Sequence, residues 1–136
     1  NVTIIEPVNL YGCEIRDNSF IGPFVEIQKN VIIGENTRIQ SHSFICENVK
    51  IGKNCFIGHG VNFTNDKFKN NNILKKNYLS THLGDNVLIG SGSTILPIKI
   101  RNNVTIGAGS VVVKNCLRNK VYIGNPAKIL KKNEKK

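Results

Sequence analysis

Apolar residues recur along this chain with a period of six. An aliphatic or aromatic side chain stands at Ile15, Ile21, Ile27, Ile33, Ile39, Ile45, Ile51, Ile57 and Phe63. Four residues after each comes a small or β-branched one: Ser19, Val25, Val31, Thr37, Ser43, Val49, Cys55 and Val61. No helix has a period of six, and a flat strand would put positions i, i+2 and i+4 on one face. The i+2 set here is Asp17, Pro23, Lys29, Glu35, Ser41, Glu47, Lys53, His59 and Asn65, which no core accepts. The chain must therefore turn once per repeat. Asn18, Asn30, Asn36, His42, Asn48, Asn54, Gly60 and Asp66, three residues after each apolar position, suit the positive φ of such corners. The pattern predicts a coil of short strands, three hexapeptides to a turn, with equivalent residues of successive turns stacked on one another.

Stacking at that interval puts Lys29, Glu47 and Asn65 in one ladder, Ser41 below His59, and Gln28 below Cys46 and Thr64. Residues 1–14 read as an irregular version of the repeat, or a capping turn, interrupted by Pro7 and Gly12. The register ends at Phe63, and Asp66 to Tyr78 carries no hexapeptide pattern. A loop of that length among one-residue corners reads as functional or disordered, and its interruption of an otherwise strict repeat favours function. The coil resumes at Leu83, and Ile100 follows Ile95 one position early, with Pro97 marking an adjusted corner. The expected organisation is a β-helix over 1–117 with an extruded loop at about 66–82, then a basic C-terminal extension over 118–136. Ile129 to Lys132 reads as a short terminal helix or strand.

Charge sharpens the picture only at the end of the chain. Residues 1–113 hold 11 basic and 8 acidic side chains, and residues 114–136 hold 8 basic and 1 acidic. The excess is a solvated end or a site for a polyanion such as a nucleotide or coenzyme phosphate. No aromatic interleaving or RNA-binding motif supports nucleic acid. Cys13, Cys46, Cys55 and Cys116 form no CxxC pair and read as small buried hydrophobes, which fits a reducing, cytoplasmic setting. No apolar run is long enough to span a membrane. His42, His59 and His82 lack the spacing of a zinc triad, and no metal is expected.

The paired residues Ile21-Gly22, Ile33-Gly34, Ile51-Gly52, Ile57-Gly58, Ile89-Gly90 and Ile106-Gly107 complete a pattern that resembles the left-handed parallel β-helix of the hexapeptide-repeat acyltransferases. The hand of the coil comes from that resemblance. A more local likeness lies in Phe56 to Asp66, preceded by Pro23 to Gln28 and by Ser43 to Glu47. These stretches are similar to the branch that N-acetylates the amino group of dTDP- or UDP-linked amino sugars. Gly107 to Val112 with Gly124 to Lys128 resembles the family's coenzyme A segment. Two departures stand out: no Gly follows Pro97, and the loop after Asp66 is short and Asn-rich.

The resemblance implies acetyl-CoA as acyl donor, a nucleotide-linked amino sugar as acceptor, and a homotrimer with sites in the clefts between subunits. It places coenzyme A along Ser91, Gly92, Ala108 and Gly109, with Lys114, Arg118, Pro126 and Lys128 towards its phosphates. The acceptor would meet Glu26, Gln28 and Asp66. Asn65 can orient the amine or hold the developing oxyanion, and Glu47 can accept a hydrogen bond from it. His59 is a candidate base, though a departing thiolate can also take the amine proton. Surface-polysaccharide or glycan synthesis is the implied setting. Two other readings stay open: O-acetylation of a sugar or antibiotic hydroxyl with His59 as base, and a non-catalytic binding module.

Overall fold

In the computed structural model, the structure describes residues 1–68 and 79–131. Within them the chain is all β, made of short strands. Three parallel ladders form the faces of a coil. The first stacks Thr3–Ile4, Phe20–Ile21, Arg38–Ile39, Phe56–Ile57, Leu88–Ile89, Thr105–Ile106 and Val121–Gly124. The second stacks Asn9–Leu10, Glu26–Ile27, Phe44–Ile45, Asn62–Phe63, Thr94–Ile95 and Val111–Val112. The third stacks Glu14–Ile15, Ile32–Ile33, Val49–Ile51, Thr81–Leu83 and Lys99–Ile100, and Cys116 bridges to Ile100 above them.

Every regular strand of the coil turns an aliphatic or aromatic residue inward, so the core is a set of vertical columns rich in isoleucine. Ile21, Ile27, Ile33, Ile39, Ile45 and Ile57 are all fully buried, and burying each contributes about 1.5–3 kcal/mol. The small position of the repeat also points inward. At three of these positions a hydroxyl donates to a glycine carbonyl on the next turn: Ser19 Oγ to Gly34 at 2.8 Å, Thr37 Oγ1 to Gly52 at 2.8 Å, Ser43 Oγ to Gly58 at 2.7 Å. Buried polar groups are tolerated when paired in this way.

The stacking interval follows the sequence pattern through all its irregularities. Phe20 pairs with Arg38, three hexapeptides further on. Phe56 pairs with Leu88, so the segment that departs after Phe63 is left out of the ladder between them. Leu88 pairs with Thr105, one position short of the regular interval, which is the position lost near Pro97. The ladder resumes at Thr81, which pairs with Val49, so the end of the expected 66–82 loop already belongs to the third face. His82 is therefore a strand residue, lying between Lys50 and Lys99.

Single residues in the left-handed region make the corners. Between the third and first faces the corner residue is Asn18, Asn36, Asn54, Asn86, Asn103 and Asn119, all with φ between 57° and 64°. Between the second and third faces it is Gly12, Asn30 and Asn48. Between the first and second faces the set is different: Phe24, His42, Gly60, Gly92 and Gly109. Asp66 makes no such corner. Its Oδ1 accepts from the Phe68 N–H at 2.7 Å as the chain leaves the coil.

Thr3–Ile4 and Asn9–Leu10 pair with the strands of the next turn, so residues 1–14 form the first turn of the coil. After Cys116 the chain still feeds the first ladder through Val121–Gly124. It then reverses, and Ala127–Ile129 returns antiparallel, pairing Tyr122 with Ile129. The terminal element is a strand. Residues 132–136 of the expected basic extension and residues 69–78 of the expected loop lie outside the described residues.

Candidate functional site

The interrupted corner is where the coil opens. A cleft of about 570 Å³ lies against the second face, lined by Gln28, Phe44, Cys46, Asn62, Phe63, Thr64, Asn65, Asp66 and Phe68. Its floor is ladder and its far side is the chain that departs after Phe63. Three of the expected site residues, Gln28, Asn65 and Asp66, are in its wall. The Asn65 carbonyl accepts from the Leu79 N–H at 2.8 Å, which closes the base of the inserted segment.

Glu26, Gln28 and Glu47 form one hydrogen-bonded series beside that wall. Gln28 Nε2 donates to Glu26 Oε2 at 2.9 Å, and the Glu47 N–H donates to Gln28 Oε1 at 3.2 Å. Glu47 is only 8% exposed. The pairs Asn62 on Phe44 and Thr81 on Val49 bracket Asn65 and Glu47 within one turn of each other. Thr64 Oγ1, also at the cleft, is buried with no hydrogen-bond partner. Cys46 is buried, and burial pushes its thiol up to about 12, with the nearby Glu47 charge adding to the effect. At neutral pH that thiol is a neutral wall group and not a nucleophile.

His59 is not in this cleft. It is exposed, on the corner between the first and second faces, where Ser91 Oγ accepts from its backbone N–H at 3.0 Å and lies 3.5 Å from its Nδ1. The same corner carries Ser91, Gly92, Ala108 and Gly109 on the turns above. Stacking runs directly upward there: the Gly92 N–H donates to the His59 carbonyl and the Gly109 N–H to the Ser91 carbonyl, both at 2.9 Å. The C-terminal hairpin reaches this corner's top, where the Gly124 N–H donates to Ser110 Oγ at 3.1 Å. Pro126 and Lys128 belong to that hairpin. Lys114 and Arg118 do not join the group. Lys114 lies where the chain passes from the second face towards Cys116 on the third, and Arg118 directly precedes Asn119, a corner between the third and first faces. Within one chain the expected residues thus fall into two groups: a cleft with Gln28, Asn65 and Asp66, and an edge with His59, Ser91, Gly92, Ala108 and Gly109.

Sequence reasoning missed the Phe24–His42 pair. The two rings stack with centroids 4.9 Å apart and planes 18° from parallel. The signal was present: Phe24 occupies the three-after position where every other turn from Ile15 to Phe63 has Asn, Gly, His or Asp. Among the described residues, no group of three or more His, Cys, Asp or Glu is gathered as metal ligands would be. No helix there is long and apolar enough to cross a membrane.

Comparison with known proteins places this architecture. Residues 12–47 match the model described as bacterial transferase hexapeptide (six repeats). Residues 48–61 and 81–114 match the hexapeptide repeat of succinyl-transferase. Together these cover more than half of the chain, which belongs to the hexapeptide-repeat transferase families. No curated protein sequence matches it.

Solved structures carry the same fold. The acetyltransferase domain of PglB from Neisseria gonorrhoeae, in complex with acetyl coenzyme A, superposes with a TM-score of 0.82 at 19% identity, over 95% of this chain and 57% of that one. A variant of AntD, an N-acyltransferase from Bacillus cereus, in complex with dTDP and coenzyme A, gives 0.85 at 23% identity, over 99% and 82%. A variant of GDP-perosamine N-acetyltransferase from Caulobacter crescentus, in complex with coenzyme A and GDP-perosamine, gives 0.71 at 21% identity, over 96% and 53%. The chain therefore spans little more than half of the first and third. At these identities the likeness establishes the fold.

Proposed function

We propose that this protein is an acetyl-CoA-dependent N-acetyltransferase whose acceptor is the amino group of a nucleotide-linked amino sugar. The observation that carries the reading is the cleft at the interrupted corner, with Asn65 in its wall and the Glu26–Gln28–Glu47 series beside it. Neighbours of the same fold hold coenzyme A together with dTDP or GDP-perosamine, which supports the same ligand classes here.

In this reading the neutral amine attacks the thioester carbonyl. A carbon–nitrogen bond forms, the carbon–sulfur bond breaks, and the amine proton ends on the departing thiolate. Asn65 offers a side-chain amide to the developing oxyanion or to the amine. Glu47 accepts a hydrogen bond from the amine and holds it in line. Coenzyme A lies along Ser91, Gly92, Ala108 and Gly109, with the hairpin residues Pro126 and Lys128 at its phosphate end. The edge lies at the corner that leads into the second face and the cleft towards the corner that leaves it, and in this reading a complete site draws the cleft from one subunit and the edge from the next. A threefold assembly supplies that arrangement, and the synthesis of surface glycans in the cytoplasm is the setting it fits.

A hydroxyl acceptor is the second reading, and it rests on His59. A hydroxyl is a far weaker nucleophile than an amine and requires a base, and His59 is the exposed imidazole on the coenzyme edge. Thiol release from acetyl-CoA against a panel of dTDP- and UDP-linked amino sugars, with their hydroxy counterparts as controls, separates the two. Release with the amino sugars alone supports N-acetylation; release with neither set sinks both.

A further inference from the structure

Phe24 is the most unusual corner in the described chain. It has φ +64°, a conformation that bulky side chains avoid, and it is 57% exposed. Its ring is not hidden in the core; it lies flat against His42, the next corner up, at φ +65°. Backbone in a sparsely populated region that holds an exposed aromatic ring is the pattern expected of a functional surface.

The two rings repeat at about the spacing of the turns, roughly 4.8 Å, so the column points at the following corner. That corner is Gly60, and a Cβ built there would meet nothing within 4 Å. Gly92 and Gly109, above it, are open in the same way. Positive φ alone does not call for glycine in this chain, because the edge between the third and first faces meets the same requirement with asparagine at every corner. Gly60 thus leaves vacant the place where a third ring would continue the stack on the upper face of His42. His59, its immediate neighbour in sequence, stands at that level on the edge.

We propose that Phe24 and His42 form a stacking platform for a nucleobase, which occupies the open level over Gly60. The source that fits is the base of the sugar nucleotide, because coenzyme A, run along Ser91 to Gly109 with its phosphates at the hairpin, carries its adenine to the opposite end of this edge from Gly60. The inference rests on the proposed function only for that choice of source, since base stacking is measured without any turnover. Stacking of a base on aromatic side chains is sequence-tolerant, so the platform contributes affinity and position more than base identity.

Titration calorimetry of the full chain with dTDP, UDP, coenzyme A and phosphopantetheine tests it, using three variants that each install the residue the chain uses at its other corners. His42→Asn removes the platform's upper face, Gly60→Asn fills the slot, and Phe24→Asn removes the lower ring. Asn suits the backbone at all three, so the melting temperature should hold, or rise for Phe24→Asn. His42→Asn and Gly60→Asn should each weaken binding by about 5-fold to 100-fold, the range that one stacked base supplies. Loss confined to dTDP and UDP assigns the slot to the acceptor. Loss for coenzyme A but not phosphopantetheine would put adenine in the slot and overturn its assignment to the acceptor's base. Unchanged affinity for all four probes in Gly60→Asn overturns the proposal, as does failure of the unaltered protein to bind any nucleotide. A changed sedimentation coefficient with unchanged nucleotide affinity also overturns it, because the rings would then be a subunit contact. Failure of acetyl transfer with nucleotide binding intact would strike the proposed function and leave this inference standing.

Discussion

Gln28 reaches up one turn of the coil and takes the backbone N–H of Glu47 on its Oε1, at 3.2 Å. The contact ties the side chain that lines the cleft to the backbone of the residue expected to meet the amine. Gln28→Ala deletes it together with the 2.9 Å bond to Glu26. A hydrogen bond of this kind is worth about 1 kcal/mol. The expected result is an acceptor KM raised about 5-fold with kcat changed much less. Steady-state kinetics with acetyl-CoA saturating would show it, and an unchanged KM would remove Gln28 from the acceptor site.

Asn65 and His59 should behave differently, because they occupy different parts of the coil. Removing one donor to an oxyanion typically lowers kcat about 10²–10³-fold, and Asn65→Ala should fall in that range. His59→Ala should lose less than about tenfold if the thiolate takes the proton. A base that is required by the chemistry is worth about 10²–10⁴-fold. A loss of that size at His59 would move the reading to a hydroxyl acceptor.

Thr81 occupies the small inward position that Val31 and Val49 hold on the turns below, but its Oγ1 is buried with no partner. The paired hydroxyls of Ser19, Thr37 and Ser43 show what it lacks. An unsatisfied buried group costs about 1–3 kcal/mol, so Thr81→Val should raise stability by about 1 kcal/mol. Ile57→Ala, in the fully buried column, should lower it by about 2–5 kcal/mol. Chemical denaturation of the two variants side by side measures both, and a destabilised Thr81→Val would point to a hydrogen bond formed in solution.

The thiols supply a pH dependence. Burial pushes Cys46 up to about 12 and Cys116 up to about 11, against 9.0 for a free thiol. In the unfolded chain both ionise near pH 9 while the folded chain keeps them protonated. Above that pH the unfolded state binds fewer protons, so stability falls as pH rises from about 9 towards 11–12. Denaturation midpoints at pH 8 and pH 10.5 should differ in that direction, and Cys46→Ser with Cys116→Ser should flatten the difference. At pH 8 an aromatic disulfide reagent should label the partly exposed Cys13 first and the other three only on unfolding.

Much of the coil is visible in the sequence because each position of a hexapeptide has one environment, repeated along the axis. The isoleucines, the inward serines and the asparagine corners each obey a local rule, so the rule could be counted. Even the shortened turn at Pro97 was readable as a single missing position. The site was less legible because it depends on which edge a residue joins, and chain order hides this. His59 and Asn65 are one hexapeptide apart in sequence, yet one lies on the edge between the first and second faces and the other at the interrupted corner. Lys114 and Arg118, expected towards the coenzyme phosphates, lie within one chain on other parts of the coil than Gly109. Tyr122 to Ile129 carried no hexapeptide signal, since the last strand reverses direction and leaves the repeat.

The pairing of Thr81 with Val49 and of Phe56 with Leu88 passes across the inserted segment as though it were not there. Contacts in such a stack run only between adjacent turns, and lengthening a surface loop costs little closure entropy. The corner after Phe63 is therefore a socket. Segments of other lengths and compositions can be spliced between Asp66 and Ser80 with the ladders unaltered, so whatever is carried at this corner is separable from the chassis that carries it.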